Sequence, residues 1–156
     1  VIPSRVNDEF VEWFAGCRFQ KVLVLHTNHA NEVSPQLARA CSKMRSSGVT
    51  LLNQAVLLKG VNDTVNEQVA LSEALFDIGV MPYYLHLLDK VKGAAHFDVD
   101  VKLAKEIIRE VLKRLPGYLV PKLVTDIGGT PNKTPIDLNL QPSSRASLGI
   151  SVNYRT

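Results

Sequence analysis

Ser34-Pro35-Gln36-Leu37-Ala38-Arg39-Ala40-Cys41-Ser42-Lys43-Met44-Arg45-Ser46-Ser47-Gly48-Val49-Thr50-Leu51-Leu52-Asn53-Gln54-Ala55-Val56-Leu57 decides the fold. Its first half reads as a helix. Ser34 is an N-cap, Pro35 occupies the first helical position, Leu37, Ala38, Cys41 and Met44 recur at helical spacing, and Gly48 is the stop. The second half, Val49 to Leu57, is an apolar run of strand length interrupted by Asn53 and Gln54. Upstream, Phe19 to Leu25 is a second valine- and leucine-rich run, so the segment is a strand–helix–strand unit.

The unit repeats along the chain. Asn7 is the cap of a short amphipathic helix with Phe10, Val11, Trp13 and Phe14 as its apolar side and Gly16 as its end. Asn62 or Thr64 starts a helix through Val65, Val69, Leu71, Leu75 and Ile78, ended by Gly79. Val80 to Leu88 is the third strand. Asp98 or Asp100 starts a helix through Leu103, Ile107, Val111 and Leu115, ended by Pro116-Gly117, and Tyr118 to Thr125 is the fourth strand. A short fifth strand is expected at Ile136 to Leu140. Strands alternating with helices imply an α/β protein of parallel strand–helix repeats. Strands this apolar are expected to be covered on both faces.

The chain of 156 residues is long enough for one domain, with 46% hydrophobic and 21% charged residues and a formal net charge of +3. Its basic residues are scattered, which argues against a nucleic-acid surface. No apolar run is long enough to span a bilayer, no signal peptide is read, and the location expected is cytoplasmic. Cys17 and Cys41 are too few and too far apart for a CxxC motif or a disulfide scaffold, and are expected to be reduced and packed. The chain opens on Val1-Ile2-Pro3-Ser4 without an initiator methionine, and is read as a piece of a longer protein. Gln141 to Thr156 is polar and is read as a loosely ordered tail.

In folds of this kind the site lies beyond the carboxyl ends of the strands. Each strand here ends in polar residues. His26, Asn28, His29, Asn31 and Glu32 follow the first, and Asn53 and Gln54 stand in the second. Asp89 ends the third, with His96 beyond it, and Asp126 ends the fourth, followed by Lys133 in Asp126-Ile127-Gly128-Gly129-Thr130-Pro131-Asn132-Lys133-Thr134-Pro135. A lysine on such a loop is placed to bond an aldehyde cofactor, although a loop lysine is more often merely solvated. Two strand-end carboxylates can act as acid and base or hold a cationic substrate, and as plain residues they are turn formers or caps. His26 and His29 resemble a metal-ligand pair, but the third ligand that zinc needs is not obvious. Gln54 is read either as a structural hydrogen-bonding group or as a ligand contact.

Taken in order, His26-Thr-Asn-His-Ala-Asn-Glu32, Asn53-Gln-Ala-Val-Leu-Leu-Lys-Gly-Val-Asn-Asp63, Pro82-Tyr-Tyr-Leu-His-Leu-Leu-Asp89, His96-Phe97 and Asp126 through Lys133 resemble the lysine 2,3-aminomutase family, radical S-adenosylmethionine enzymes that also carry pyridoxal phosphate. The resemblance covers about residues 1–140 and is greatest to the bacterial members that make β-lysine for elongation factor P. It implies a partial (β/α)6 TIM-like barrel, of which this chain would be the C-terminal half. It implies that Lys133 bonds pyridoxal phosphate, that Asp89 and Asp126 bind the ammonium groups of substrate lysine, and that His26 and Gln54 contact S-adenosylmethionine. The implied reaction is conversion of L-lysine to β-lysine, begun by a 5′-deoxyadenosyl radical. The family's CxxxCxxC motif, which holds a [4Fe–4S] cluster, is not in this sequence, so this chain would hold no metal and is expected to be inactive alone. The unpaired strand edges of a half-barrel lead to an expectation of oligomerisation as a homo-oligomer, strand exchange or a rearranged end in the isolated chain. The competing readings are a pyridoxal phosphate-binding module without catalysis, and a (β/α) metal hydrolase using His26, His29 and Asp89.

Overall fold

Residues 3–89 and 94–141 are described by a computed structural model of the protein. Four strands, β1 (Lys21–His26), β2 (Val49–Val56), β3 (Met81–His86) and β4 (Lys122–Thr125), lie parallel and side by side in chain order. A two-residue strand, β5 (Thr134–Pro135), runs antiparallel to β4. The helices are α1 (Asp8–Ala15), α2 (Pro35–Ser46), α3 (Val65–Asp77) and α4 (Val101–Val111).

Local chemistry sets the helix starts. The side chains of Asn7, Ser34, Thr64 and Asp100 accept from the backbone N–H groups of Phe10, Leu37, Glu67 and Lys102. Thr64 and Asp100 thus decide the two starts that the sequence left open between neighbours. Gly79 follows α3 at φ +76°, where a side chain would be strained and a Cβ would meet the Arg45 guanidinium.

Because each strand is added on the same side of the one before, right-handed crossovers bring successive helices to one face of the sheet. α2, α3 and α4 pack against β2, β3 and β4. Leu25, Leu51, Ala55, Leu85 and Leu123 point into this layer and are buried against residues such as Leu37, Met44, Leu75 and Ile107. The intervening residues form the other face, where Val22 is 54% and Val24 38% exposed. The expectation of strands covered on both faces is therefore corrected: strands wound in a single direction place their helices on one side, and the other face is left part-exposed along β1 to β3, while Val124 of β4 is fully buried on it.

Several boundaries also differ from the sequence reading; the fourth strand, read as Tyr118 to Thr125, begins only at Lys122. α4 ends at Val111, and a turn through Arg114 leads to the 3-10 turn Gly117–Leu119. The fifth strand is Thr134–Pro135 and not Ile136–Leu140. Ile136 N–H still donates to Leu123 O, but the Leu138 carbonyl then turns to Arg109 of α4, and Lys105 donates to Asn139 Oδ1 at 2.9 Å. Those side-chain bonds take the backbone off the sheet. Residues 142–156 of the expected tail lie outside the described residues.

Candidate functional site

The carboxyl ends of all four parallel strands open on one rim, and most of the polar residues singled out from the sequence lie there. The loop after β1 is held by its own polar groups. Glu32 Oε1 accepts from Asn28 N–H (2.7 Å) and His29 N–H (3.0 Å), while His29 Nδ1 accepts from Asn31 N–H. His29 and Glu32 are thus engaged in a reciprocal cap of a short 3-10 turn. Among the described residues no group of three His, Cys, Asp or Glu side chains is arranged to hold a metal ion.

Neighbouring amides in β2 have opposite duties because successive strand residues face opposite ways. Asn53, 2% exposed, points to the helix side, accepts from Thr27 N–H (2.9 Å) and donates to Thr27 O (3.0 Å). It pins the end of β1 to β2. Asn62 is fully buried and knots the loops together: its amide donates to Asn28 O and Val56 O, accepts from Leu58 N–H, and its carbonyl receives Gln68. Gln54 turns to the bare face. Its Nε2 lies 3.0 Å from His26 Nε2 and its Oε1 lies 3.3 Å from His86 Nε2.

His86 is the site residue that the sequence reading did not single out. Burial pulls its pKa below the usual imidazole value, and the Lys133 charge, then His26, add to this; Asp126 and Asp89 oppose it. These electrostatic influences set four of the expected site residues, Lys133, Asp126, Asp89 and His26, around one ring, and Gln54 joins through its hydrogen bond. The sequence signal for His86 was faint but present: two residues from Tyr84 in a strand, it shares a face opposite to that of buried Leu85.

Lys133 forms an ion pair with Asp126 across the glycine loop. The loop keeps its shape through Thr130, whose N–H and hydroxyl both donate to Ile127 O. Asp126 and Asp89 also border a cavity of about 460 Å3 whose walls include Leu87, Asp98, Val99 and Thr125. That is the size range of small-molecule sites, with carboxylates on an otherwise partly apolar wall. His96 lies in the 3-10 turn Ala95–Phe97, its ring against Phe97. Cys41 is buried, which pushes its thiol pKa up and away from thiolate chemistry, and both cysteines are free.

No family profile matches the chain. Individual proteins do. It is 57% identical over 141 residues to the L-lysine 2,3-aminomutase of Escherichia coli (strain K12), covering 90% of this chain and 41% of that protein. It is 51% identical to the enzyme of the same name from Haemophilus influenzae (86% and 40% covered) and 39% identical to that from Clostridium subterminale (87% and 32% covered). The chain therefore spans well under half the length of these curated relatives. Among solved structures, a radical SAM methyltransferase from Sphaerobacter thermophilus shares the fold, with a TM-score of 0.58 at 19% identity over 77% of this chain and 38% of that one. This chain is a relative of the lysine 2,3-aminomutases with part of a TIM-like α/β architecture.

Proposed function

We propose that this chain is the portion of a lysine 2,3-aminomutase that holds substrate and pyridoxal phosphate, and that the complete protein converts L-lysine to β-lysine. The observation that carries the reading is the Lys133–Asp126 ion pair beside the cavity shared with Asp89. The residues fit the cofactor: the Lys133 side chain is part-exposed on an open loop, and its ammonium sits where a carboxylate can accept its proton. When bound, pyridoxal phosphate supplies an aldehyde for amine attachment and an electron sink for the carbon framework attached to it.

The chain's own residues have separable tasks in this reading. Lys133 offers the amine. Once its charge is gone, Asp126 is released to another cation, and Asp126 with Asp89 holds substrate ammonium groups by charge-assisted hydrogen bonds. The Lys133 ammonium in the structure stands in for that guest. His26 and Gln54, on β1 and β2, contact S-adenosylmethionine from the opposite part of the rim. The iron–sulfur cluster of such a reaction needs closely spaced thiolates, which Cys17 and Cys41 do not offer. The isolated chain is therefore expected to be inactive, and β-lysine formation by it with the usual cofactors would overturn that expectation. The reading further assigns the product to elongation factor P; intact-mass analysis of that factor from a strain lacking the full-length protein should find the β-lysyl group missing.

Pyridoxal phosphate added to the chain, fixed by borohydride and located by peptide mapping, tests the core of the reading. The expected label is on Lys133. Label scattered over many lysines, from this chain and from the full-length protein alike, would sink it.

A further inference from the structure

We propose that His86 is a positioning residue of the rim, acting through Gln54 to fix which nitrogen of His26 carries the proton. The inference deepens the reading above, because it specifies what His26 can offer a ligand, but its test needs no ligand.

Hydrogen-bond polarity carries the argument. An amide nitrogen can only donate, so His26 Nε2, 3.0 Å from Gln54 Nε2, must be an unprotonated acceptor. An amide oxygen can only accept, so His86 Nε2, 3.3 Å from Gln54 Oε1, must carry a hydrogen. The chain therefore has one direction: His86 Nε2–H to Gln54, then Gln54 N–H to His26 Nε2. In neutral His26 the hydrogen must then reside on Nδ1, and in neutral His86 the free lone pair is on Nδ1.

The backbone is adapted to this arrangement. Asn53 pairs with Pro82 and Gln54 with Tyr84, so Tyr83 is an extra residue in β3. In an unbroken ladder Gln54 would pair with Tyr83 and Val56 with Leu85, and a one-residue slip turns every side chain over. The bulge instead pairs Val56 with His86 and turns His86 to the face of Gln54 and His26. The two tyrosines at the irregularity lie side by side, hydroxyl to hydroxyl at 2.9 Å, and the Tyr84 ring meets His86 edge-on at 5.7 Å. The charged or titratable groups around His86 are His26 on β1, Asp89 after β3, Asp126 after β4 and Lys133 on the following loop. Burial and the Lys133 charge favour the neutral ring that the relay requires.

The test is nitrogen-15 NMR on histidine-labelled chain at about pH 8, above the ordinary imidazole range. The unmodified protein should give His26 with a bare Nε2 and a protonated Nδ1, and His86 with the reverse. Gln54→Glu replaces the donating nitrogen by an acceptor at constant shape, so His26 should switch its proton to Nε2. His86→Phe removes the anchor only, and His26 should drift toward the Nε2–H form favoured by an unconstrained imidazole. A proton on His26 Nε2 in the unmodified chain, or an unchanged pattern in folded Gln54→Glu protein, would overturn the proposal. An unchanged His26 pattern in folded His86→Phe protein would overturn the role of His86; if that variant fails to fold, a protonated Nδ1 and bare Nε2 on His86 in the unmodified chain would overturn it equally. Loss of melting temperature does not count in its favour, since a merely structural histidine would give that too. Failed labelling of Lys133 in this chain and in the full-length protein alike, beside an intact tautomer pattern, would reject the aminomutase reading and leave this one standing.

Discussion

The two faces of one sheet are made from the same strands and have different chemistry. On the helix side Leu51, Ala55, Leu85 and Leu123 interlock with α2, α3 and α4 and are almost fully buried. On the other side Val22, Val24, Gln54 and His86 alternate with them and keep contact with water or with each other. One face holds the strands in place; the other carries the linked group of His26, Gln54 and His86 from β1 to β3. In the proposed function, stability and ligand contact fall to odd and even positions of the same segments, and a substitution can strike one without the other.

The largest break of this contrast should come from Leu85→Ala, which empties a fully buried position and should cost about 2–5 kcal/mol in chemical denaturation. Val24→Ala on the bare face should cost less than about 1 kcal/mol, because the side chain is already part-exposed. Equal losses would mean that the second face is a core as well.

A sharper test uses two adjacent residues. Asn53→Ala strands the buried N–H and C=O of Thr27 and should cost about 1–3 kcal/mol for each group left unpaired. Gln54→Ala should leave the denaturation midpoint nearly unmoved while altering the histidine pair.

The smallest effect is one of pH. A histidine whose folded pKa lies below its unfolded value takes up protons more readily when unfolded, so its contribution is present above about pH 6.5 and is lost as pH falls through the depressed value. Acidification from neutrality should therefore lower the melting temperature slightly in the unmodified chain, and less so in His86→Phe. A larger acid loss in the variant would show that His86 is not the group responsible.

Much of the covered face was legible in the sequence. Ser34-Pro35 and Gly48 bracket α2, and the apolar runs mark β1 to β4 because burial leaves a compositional trace. The clustering at the strand ends was legible too, since His26, Gln54, Asp89 and Asp126 each interrupt or end an apolar run and Lys133 follows on the glycine loop. His86 escaped because its neighbours Leu85, Leu87 and Leu88 read as uninterrupted strand, and only the Tyr83 irregularity turns it toward Gln54. No local pattern announces such a bulge, which is set by pairing with another strand. Nor does any single segment reveal that a face lacks cover: that follows from the direction in which all the strands are wound. The early end of β5 depends likewise on Arg109 and Lys105 drawing the chain that follows it toward α4.

Asn62 has a consequence for anyone who would transplant this rim to another scaffold. Its one amide closes three bonds at once, to Asn28 O, Val56 O and Leu58 N–H, so the loops after β1 and β2 share a single fastening. Aspartate in its place would lack both donors, and glutamine would overreach by a methylene. A graft that copied His26, Gln54 and His86 but omitted this buried knot would carry the letters of the site without its grammar.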